Sequence, residues 1–491
     1  MNAVQSHPGL QIPGRTILSI PDHMKITQIG HASILIETDG IRVLSDPWWK
    51  GPCFGAQWWL YPEPDLKTVE ARPVDFIYIS HGHHDHFHPG TLNGFDRSVT
   101  ILVSSEGGLG GPLRDLGFKV IEIGPDEECS LSESVRARIM PTHSDDTLMW
   151  VSDGSEVCVN LNDSLHSAPG SVQTRFFERL KALGPRIDYL FCGYGTASHF
   201  PNCYEVPGKD KVESARTRQL YFSRQWAKIV DGLNPISAFP FAADVVFFEE
   251  DLFWSNEAVH NGQRPTEVFR TLYPDSKTEV YDAAPGFCID KGAVTRNVLR
   301  KPVVEGELRE RCAPSIARAN RYGTATEQDA LNLVGLLREN VRICGAYLES
   351  FGGDWKFLIK LRNSDLGISI EKRGSDIAVD FVPSAAAATG SADLTYTVRP
   401  AYLKVSLTED YGNEILFVGS GGIFGYPNRE QFARNLHREL GVIVKKHGKP
   451  PASRFGDQPR WMYRVKVGLK SLLKRPEPDL YDLSAWTTFR G

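Results

Sequence analysis

The sequence predicts an α/β protein in which stacked β-sheets carry helices on their outer faces, continued by a smaller α+β module. Three observations carry this expectation. Short β-branched runs recur through the first 160 residues, helical spacing of apolar residues follows at 171–183 and 211–233, and a second series opens near residue 326 with a long helix and then strands. A chain of 491 residues, 41% apolar and 23% charged, has the length for two or three domains. The divisions expected are residues 1–300 for a catalytic domain, 301–445 for the α+β module and 446–491 for a basic tail.

Taken in order, KITQIGHASILIETDGIRVLSDPWW from Lys25 alternates around the turn signal Thr38-Asp39-Gly40 and reads as a hairpin running into Asp46-Pro47. Phe76–Ser80 reads as a buried strand leading into a histidine cluster. Further strands are expected at 100–103, 119–123, 135–140, 148–151 and 157–161, and the stretch from Pro240 to about Lys301 reads as loop-rich. The helix expected from Thr326 to Glu349 places Leu331, Val334, Leu337, Val341 and Leu348 on one face. Strands at 355–361, 368–371, 377–382, 394–398 and 414–418 follow, with 384–392 as a loop.

A net charge of −5 speaks against a nucleic-acid binder that works by bulk phosphate neutralisation. There is no apolar run of transmembrane length and no secretory pattern in the first thirty residues, so the expectation is a soluble, cytoplasmic protein. The eight cysteines show no CxxC pair and read as free thiols. Between Lys445 and Arg475 stand ten Lys/Arg against one acidic residue. This segment reads as a solvated tail, a surface for anionic lipid or a partner, or an arm across the active-site mouth.

Five of the fourteen histidines lie between His81 and His88. His81-Gly82-His83-His84-Asp85-His86 is an HxHxDH pattern at a strand's C-terminal end, where His81 and His83 can face one metal while Asp85 and His86 reach a second. Imidazole and carboxylate ligands of this kind suit Zn, Fe or Mn, so two divalent metal ions are the expected cofactor. His143, after the strand at 135–140, is the expected third ligand of the first metal, and Asp163, after the strand at 157–161, the expected bridge. Two cations sharing a water lower its pKa and create a nucleophile.

Gly30-His31, Asp46-Pro47, the HxHxDH of 81–86, His143 and Asp163, in this order, resemble the metallo-β-lactamase superfamily. The resemblance implies an αβ/βα metallo-β-lactamase sandwich over roughly residues 24–290, a dinuclear site at one edge between the sheets, and a structural role for Asp46 beside the metals. His31 is then either near the metal centre or a core histidine, and Asp85 and His31 are the candidate catalytic residues. The flanks LSDPWWKGPCFGAQWWLYPEP, DFIYISHGHHDHFHPGTL, GTASHFPNCY and APGFCIDKG resemble the catalytic portion of the CMP-N-acetylneuraminate hydroxylase family. That resemblance implies an iron-dependent oxygenation fed with electrons by a Rieske cluster. The chain has neither the CxH nor the CxxH segment of such a cluster, so an oxygenase here would use a separate electron donor. The superfamily's last histidine, expected after Phe239-Pro240-Phe241, is replaced by Ala242-Ala243-Asp244, leaving His260, His199 or Glu249 as substitutes; His260 is the metal candidate carried forward.

Trp48, Trp49, Lys50 and Trp59 lie in the loop that would overhang the metals. They read either as a surface that stacks on a ring and neutralises an anionic substrate or as the hydrophobic core of a flap. Three functions follow: a hydrolase using metal-activated water on an anionic, nucleotide-linked substrate; an iron-dependent oxygenase with an external electron donor; and a binding protein with a structural metal site. Oligomeric state is not legible.

Overall fold

In the computed structural model, the described residues are 23–425 without 143–145, 185, 196–200, 206–207, 209, 322, 350–352, 410–411 and 413, and the side chains of 344–349 and 417 are also outside the description. His143, His199 and the basic segment therefore lie outside the described residues.

Two sheets face each other. The first has eight strands, in the order Ala293–Arg296, Cys288–Asp290, Lys25–Gly30, Ser33–Thr38, Ile41–Ser45, Phe76–Tyr78, Thr100–Ser104 and Lys119–Ile123. The second has seven, in the order Glu279–Val280, Ser237–Phe241, Tyr189–Gly193, Val157–Asn160, Thr147–Ser152, Arg136–Pro141 and Cys129–Ser130. Both mix antiparallel hairpins with parallel pairs. Parallel strands buried on both faces require apolar residues throughout, and Tyr189–Gly193 and Ser237–Phe241 are buried at every position.

The layer between the sheets contains Ile34, Ile36, Val43, Met149, Phe191, Phe239, Phe241 and Phe287, with Phe191 and Phe239 stacked at a centroid distance of 4.5 Å. Helices Gly170–Leu183 and Lys211–Leu233 cover the outer face of the second sheet through Phe176, Leu180, Trp226 and Val230. This is the layered sandwich expected from the sequence.

A third, six-stranded sheet runs Tyr204–Glu205, Gly422–Gly425, Leu394–Val398, Trp355–Leu361, Gly367–Arg373 and Asp376–Val382, and the helix Glu327–Glu349 packs on it. Its first strand comes from the segment between the two long helices of the sandwich, and the helices Glu305–Arg311 and Ala313–Ala319 join a cluster with Trp59 and Phe248.

Several local expectations are corrected. The region after Pro240 is not loop-rich, since it holds the strands Val245–Phe247, Cys288–Asp290 and Ala293–Arg296 and the helices Trp254–His260 and Pro265–Leu272. Residues Glu414–Phe417 form a helical turn rather than a strand, and Ala385–Thr389, capped by the Ser384 side chain, is a short helix rather than a loop. On the long C-terminal-module helix, Leu331 is 45% exposed and Leu333 takes its place in the core. Five cysteines are buried, Cys129 and Cys312 are half-buried, and all seven described thiols are free. Among the described residues no helix is long and apolar enough to cross a membrane.

Candidate metal centre

Four strand ends build the centre. Ile41–Ser45 delivers Asp46, Phe76–Tyr78 leads into the HxHxDH loop, the hairpin of Arg136–Pro141 with Thr147–Ser152 encloses Asp146, and Val157–Asn160 delivers Asn162 and Asp163. These strands converge at one edge of the sandwich. Gly193, at the end of its strand, is required there: a Cβ would lie 2.6 Å from Asn162 O and 3.1 Å from Asp163 Oδ1.

The ligand atoms fall into three overlapping groups, within each of which all lie less than 4.8 Å apart: His81, His83 and Asp146; His81, His86 and Asp163; and His31, Asp85 and His86. His81 Nε2 is 2.7 Å from His83 Nδ1 and 3.5 Å from Asp146 Oδ1. His86 Nε2 is 3.1 Å from Asp85 Oδ2 and 3.3 Å from Asp163 Oδ2. His86 Nε2 thus faces both Asp85 and Asp163, and Asp163 also groups with His81.

Asp46 orients the set from behind. Its carboxylate accepts from Ser80 N and Ser80 Oγ, each at 2.8 Å, from His86 Nδ1 at 3.1 Å, and from Asn162 Nδ2. A proton on Nδ1 turned to Asp46 leaves His86 Nε2 for the site. The Ser80 hydroxyl is also 2.9 Å from His81 Nδ1.

The electrostatics follow from burial and charge. Burial and the neighbouring His86 push His81 down to about 4. Burial works against a charged His86, but Asp85 and Asp163 raise it well above the ordinary histidine value. Burial also opposes charge on Asp85, yet His86 and the hydrogen bond from His31 hold it well below the usual carboxylate range; Asp163 is lowered against its burial by His86, His166 and His81.

The donor set fits a cation. Asp85 Oδ1, Asp163 Oδ1 and His86 Nε2 are buried with no hydrogen bond, and buried carboxylate oxygens without a donor are costly. Divalent cations among these nitrogens and oxygens would satisfy all three atoms.

The remaining candidates sit as follows. His31 is buried against Asp85. Trp48, Trp58 and Trp59 are buried, and the Trp48 ring meets His31 edge-on at 5.2 Å. Trp59 packs on Phe248, and half-buried Trp49 packs on Phe95. These aromatics form the interior of the flap, while the Lys50 side chain is exposed. His260 joins no ligand group among the described residues; its Nε2 donates to Val245 O at 2.6 Å. Glu249 is occupied by Gln57, Tyr402, Arg362 and Arg399. His84 stacks on Phe54, and His88 caps a short helix through Thr91 N. Asp146 was not anticipated, although a carboxylate three residues after His143 in the same hairpin loop was the available signal.

Residues 25–159 match the family model described as the β-lactamase superfamily domain. The sandwich has the metallo-β-lactamase fold. Its buried histidines and aspartates lie close enough together to hold a metal ion. A Mycobacterium tuberculosis protein bearing the name Rieske 2Fe-2S iron–sulfur protein is 24% identical over 308 residues, 57% of this chain and 56% of that one. The cytidine monophosphate-N-acetylneuraminic acid hydroxylase of Asterias rubens is 40% identical over 70 residues, 14% of this chain and 11% of that protein. Among solved structures, CmlA, a diiron β-hydroxylase from Streptomyces venezuelae, aligns with a TM-score of 0.37 at 20% identity, covering 55% of this chain and 54% of that one. The chain spans about half the length, or less, of these relatives.

Proposed function

We propose that this chain is an iron-dependent oxygenase that hydroxylates an anionic small molecule, drawing electrons from a separate donor protein. The observation that carries the reading is the ligand chemistry. His81, His83 and Asp146 make a two-imidazole, one-carboxylate set, and His86 with Asp85 and Asp163 adds two more carboxylates. The two-histidine, one-carboxylate arrangement with open positions is the one that non-haem iron oxygenases use. The hydroxylase and Rieske names among the relatives support the same choice, and with it the electron donor.

Bound there, the metal pair would supply Lewis acidity and, as iron, redox chemistry towards dioxygen. The protein's own part is positional. Asp163 groups with His81 and His86, Asp46 and Ser80 orient His86 and His81, and the Trp48–Trp58 flap closes one side of the site to water. A cleft lined by Trp58, Tyr194, Asn202, Gln219 and Phe247 lies beside the His31 half and offers aromatic faces and amides to a substrate. Exposed Lys50 is the cation that an anionic group would meet on the flap.

A second reading, hydrolysis by metal-activated water, is favoured by one feature: no cysteine stands two or three positions before a histidine, so this sequence carries no Rieske ligand pair of its own. Elemental analysis of anaerobically purified protein separates the two. The oxygenase reading expects about two irons per chain and oxygen uptake that depends on an added reductant. Zinc without reductant-dependent oxygen uptake would replace it with the hydrolase.

A further inference from the structure

His31 lies in the turn between Lys25–Gly30 and Ser33–Thr38, with φ at +45°, a left-handed backbone that a residue with a Cβ adopts at a cost. It is held there by the loop leaving Ser237–Phe241 on the other sheet. Ala242 N donates to His31 O at 3.0 Å, His31 N donates to Asp244 Oδ2 at 3.0 Å, and Arg300 pairs with Asp244 Oδ1. Asp282, gripped by Arg264 Nε at 2.9 Å and Nη2 at 2.8 Å, backs Arg300. The contacts that fix the strained residue therefore fix its ring.

The ring's protonation pattern can be read from its neighbours. His31 Nδ1 is 3.2 Å from Asp244 N, and a backbone amide can only donate, so Nδ1 carries no proton. The neutral ring then carries its proton on Nε2, 3.0 Å from Asp85 Oδ2. A nitrogen bearing a proton has no lone pair for a cation. The other carboxylate oxygen, Asp85 Oδ1, is buried with no hydrogen bond.

From this geometry we infer that His31 is a positioning residue rather than a metal ligand: its Nε2–H holds Asp85 by Oδ2, the oxygen that also lies 3.1 Å from His86 Nε2, and so fixes how the Asp85 carboxylate is presented to a cation at His86. Loop 242–244 sets the tautomer and so links one sheet to a ligand carried by the other. The inference rests on the reading of this cluster as a metal site.

The test is a titration of the metal-stripped full chain with cobalt(II), followed by visible absorption and by cobalt per chain after dialysis. Wild-type protein should take two cobalt ions. His31→Ala should weaken the second about 10–100-fold, the usual loss when a residue orienting a ligand is removed, while retention of the first shows that the variant is folded. His31→Gln places an amide N–H near the lost Nε2 and should restore most of the affinity with an unchanged absorption spectrum. Wild-type affinity for both ions in His31→Ala would overturn the role. A changed spectrum in His31→Gln, with the second site as weak as in the alanine variant, would make His31 a ligand and overturn the proposal. Failure of the wild-type chain to bind cobalt would instead remove the metal reading itself, and this inference with it.

Discussion

At the scale of single residues, the centre depends on groups that never touch a metal. Asp46 is wholly buried and receives Ser80 N, Ser80 Oγ, His86 Nδ1 and Asn162 Nδ2 around one carboxylate. Its substitution by alanine strands four donors in a place water does not reach, and a buried donor left without an acceptor costs about 1–3 kcal/mol. Asp46→Asn is the more informative change, because it keeps the size but turns an amide N–H towards groups that already donate. His86 then loses the partner that fixes Nδ1–H, and metal affinity at its half-site is expected to fall about 10–100-fold. Isothermal titration of the metal-stripped protein would measure this, and an unchanged affinity would show that Asp46 does not orient His86. Residue types and spacing pointed to the HxHxDH cluster and Asp163, and the fold brings these residues together. Spacing from His143 made Asp146 a candidate but could not decide it, because whether a loop carboxylate turns towards His81 depends on how its hairpin is placed against the other sheet.

At the scale of elements, strands with strong periodicity or continuous apolar runs were legible, and so were the two long helices of the sandwich. The helix Lys211–Leu233 has the bounds that its apolar spacing gives, closed by Asp210 accepting from Val212 N and Glu213 N. Tyr189–Gly193 was missed because an all-buried parallel strand shows no alternation, while the strand Ser237–Phe241 was expected only from the resemblance, as the one entering Phe239-Pro240-Phe241. Glu414–Phe417 was misread because four residues of apolar sequence fit a strand or a helical turn equally well. The buried polar cluster at the seam between the sandwich and the third sheet was also invisible in the sequence, since its members come together only in the fold. Glu249 is 2% exposed and takes Arg362 Nη1 at 2.7 Å, Arg399 Nη2 at 3.3 Å, Tyr402 OH at 3.0 Å and Gln57 Nε2 at 2.6 Å. Arg362 holds Asp251 as well, at 2.9 Å. Removing one member of a buried ion pair typically costs about 3–5 kcal/mol, because the remaining charge keeps its desolvation penalty. Glu249→Ala is therefore expected to destabilise the chain by that amount in chemical denaturation, with metal stoichiometry unchanged in the folded fraction. A loss under about 1 kcal/mol would show that solvent reaches the seam.

At the scale of the whole molecule, the two sheets and the helix layer meet around the loop at 242–244, and the charges there make stability depend on pH. His260 ends the helix Trp254–His260 and ties it to the sandwich by donating Nε2–H to Val245 O, next to Asp244. Burial, with Arg264 and Arg300 close by, pushes this histidine down to about 4, against the pull of the Val245 carbonyl and Asp244. A histidine lowered in the fold stays neutral while the unfolded chain takes up the proton, so its contribution is complete above about pH 6.5 and is lost as pH falls towards 4. Between pH 7.5 and pH 5 the difference amounts to about 2 kcal/mol, an upper figure for a ring that keeps some contact with solvent. His81, His88 and His166 are lowered as well and act in the same direction, while the raised His86 acts against them, so the wild-type chain alone does not isolate the effect. The comparison is between urea denaturation of metal-stripped wild type and of His260→Gln, whose amide can still donate to Val245 O without titrating. The variant should be less sensitive to acid over this interval by roughly the stated amount. Parallel pH profiles would mean that His260 is protonated alike in the folded and unfolded chains, and the acid sensitivity of the fold would then reside in the other histidines lowered by burial, His81, His88 and His166 among them.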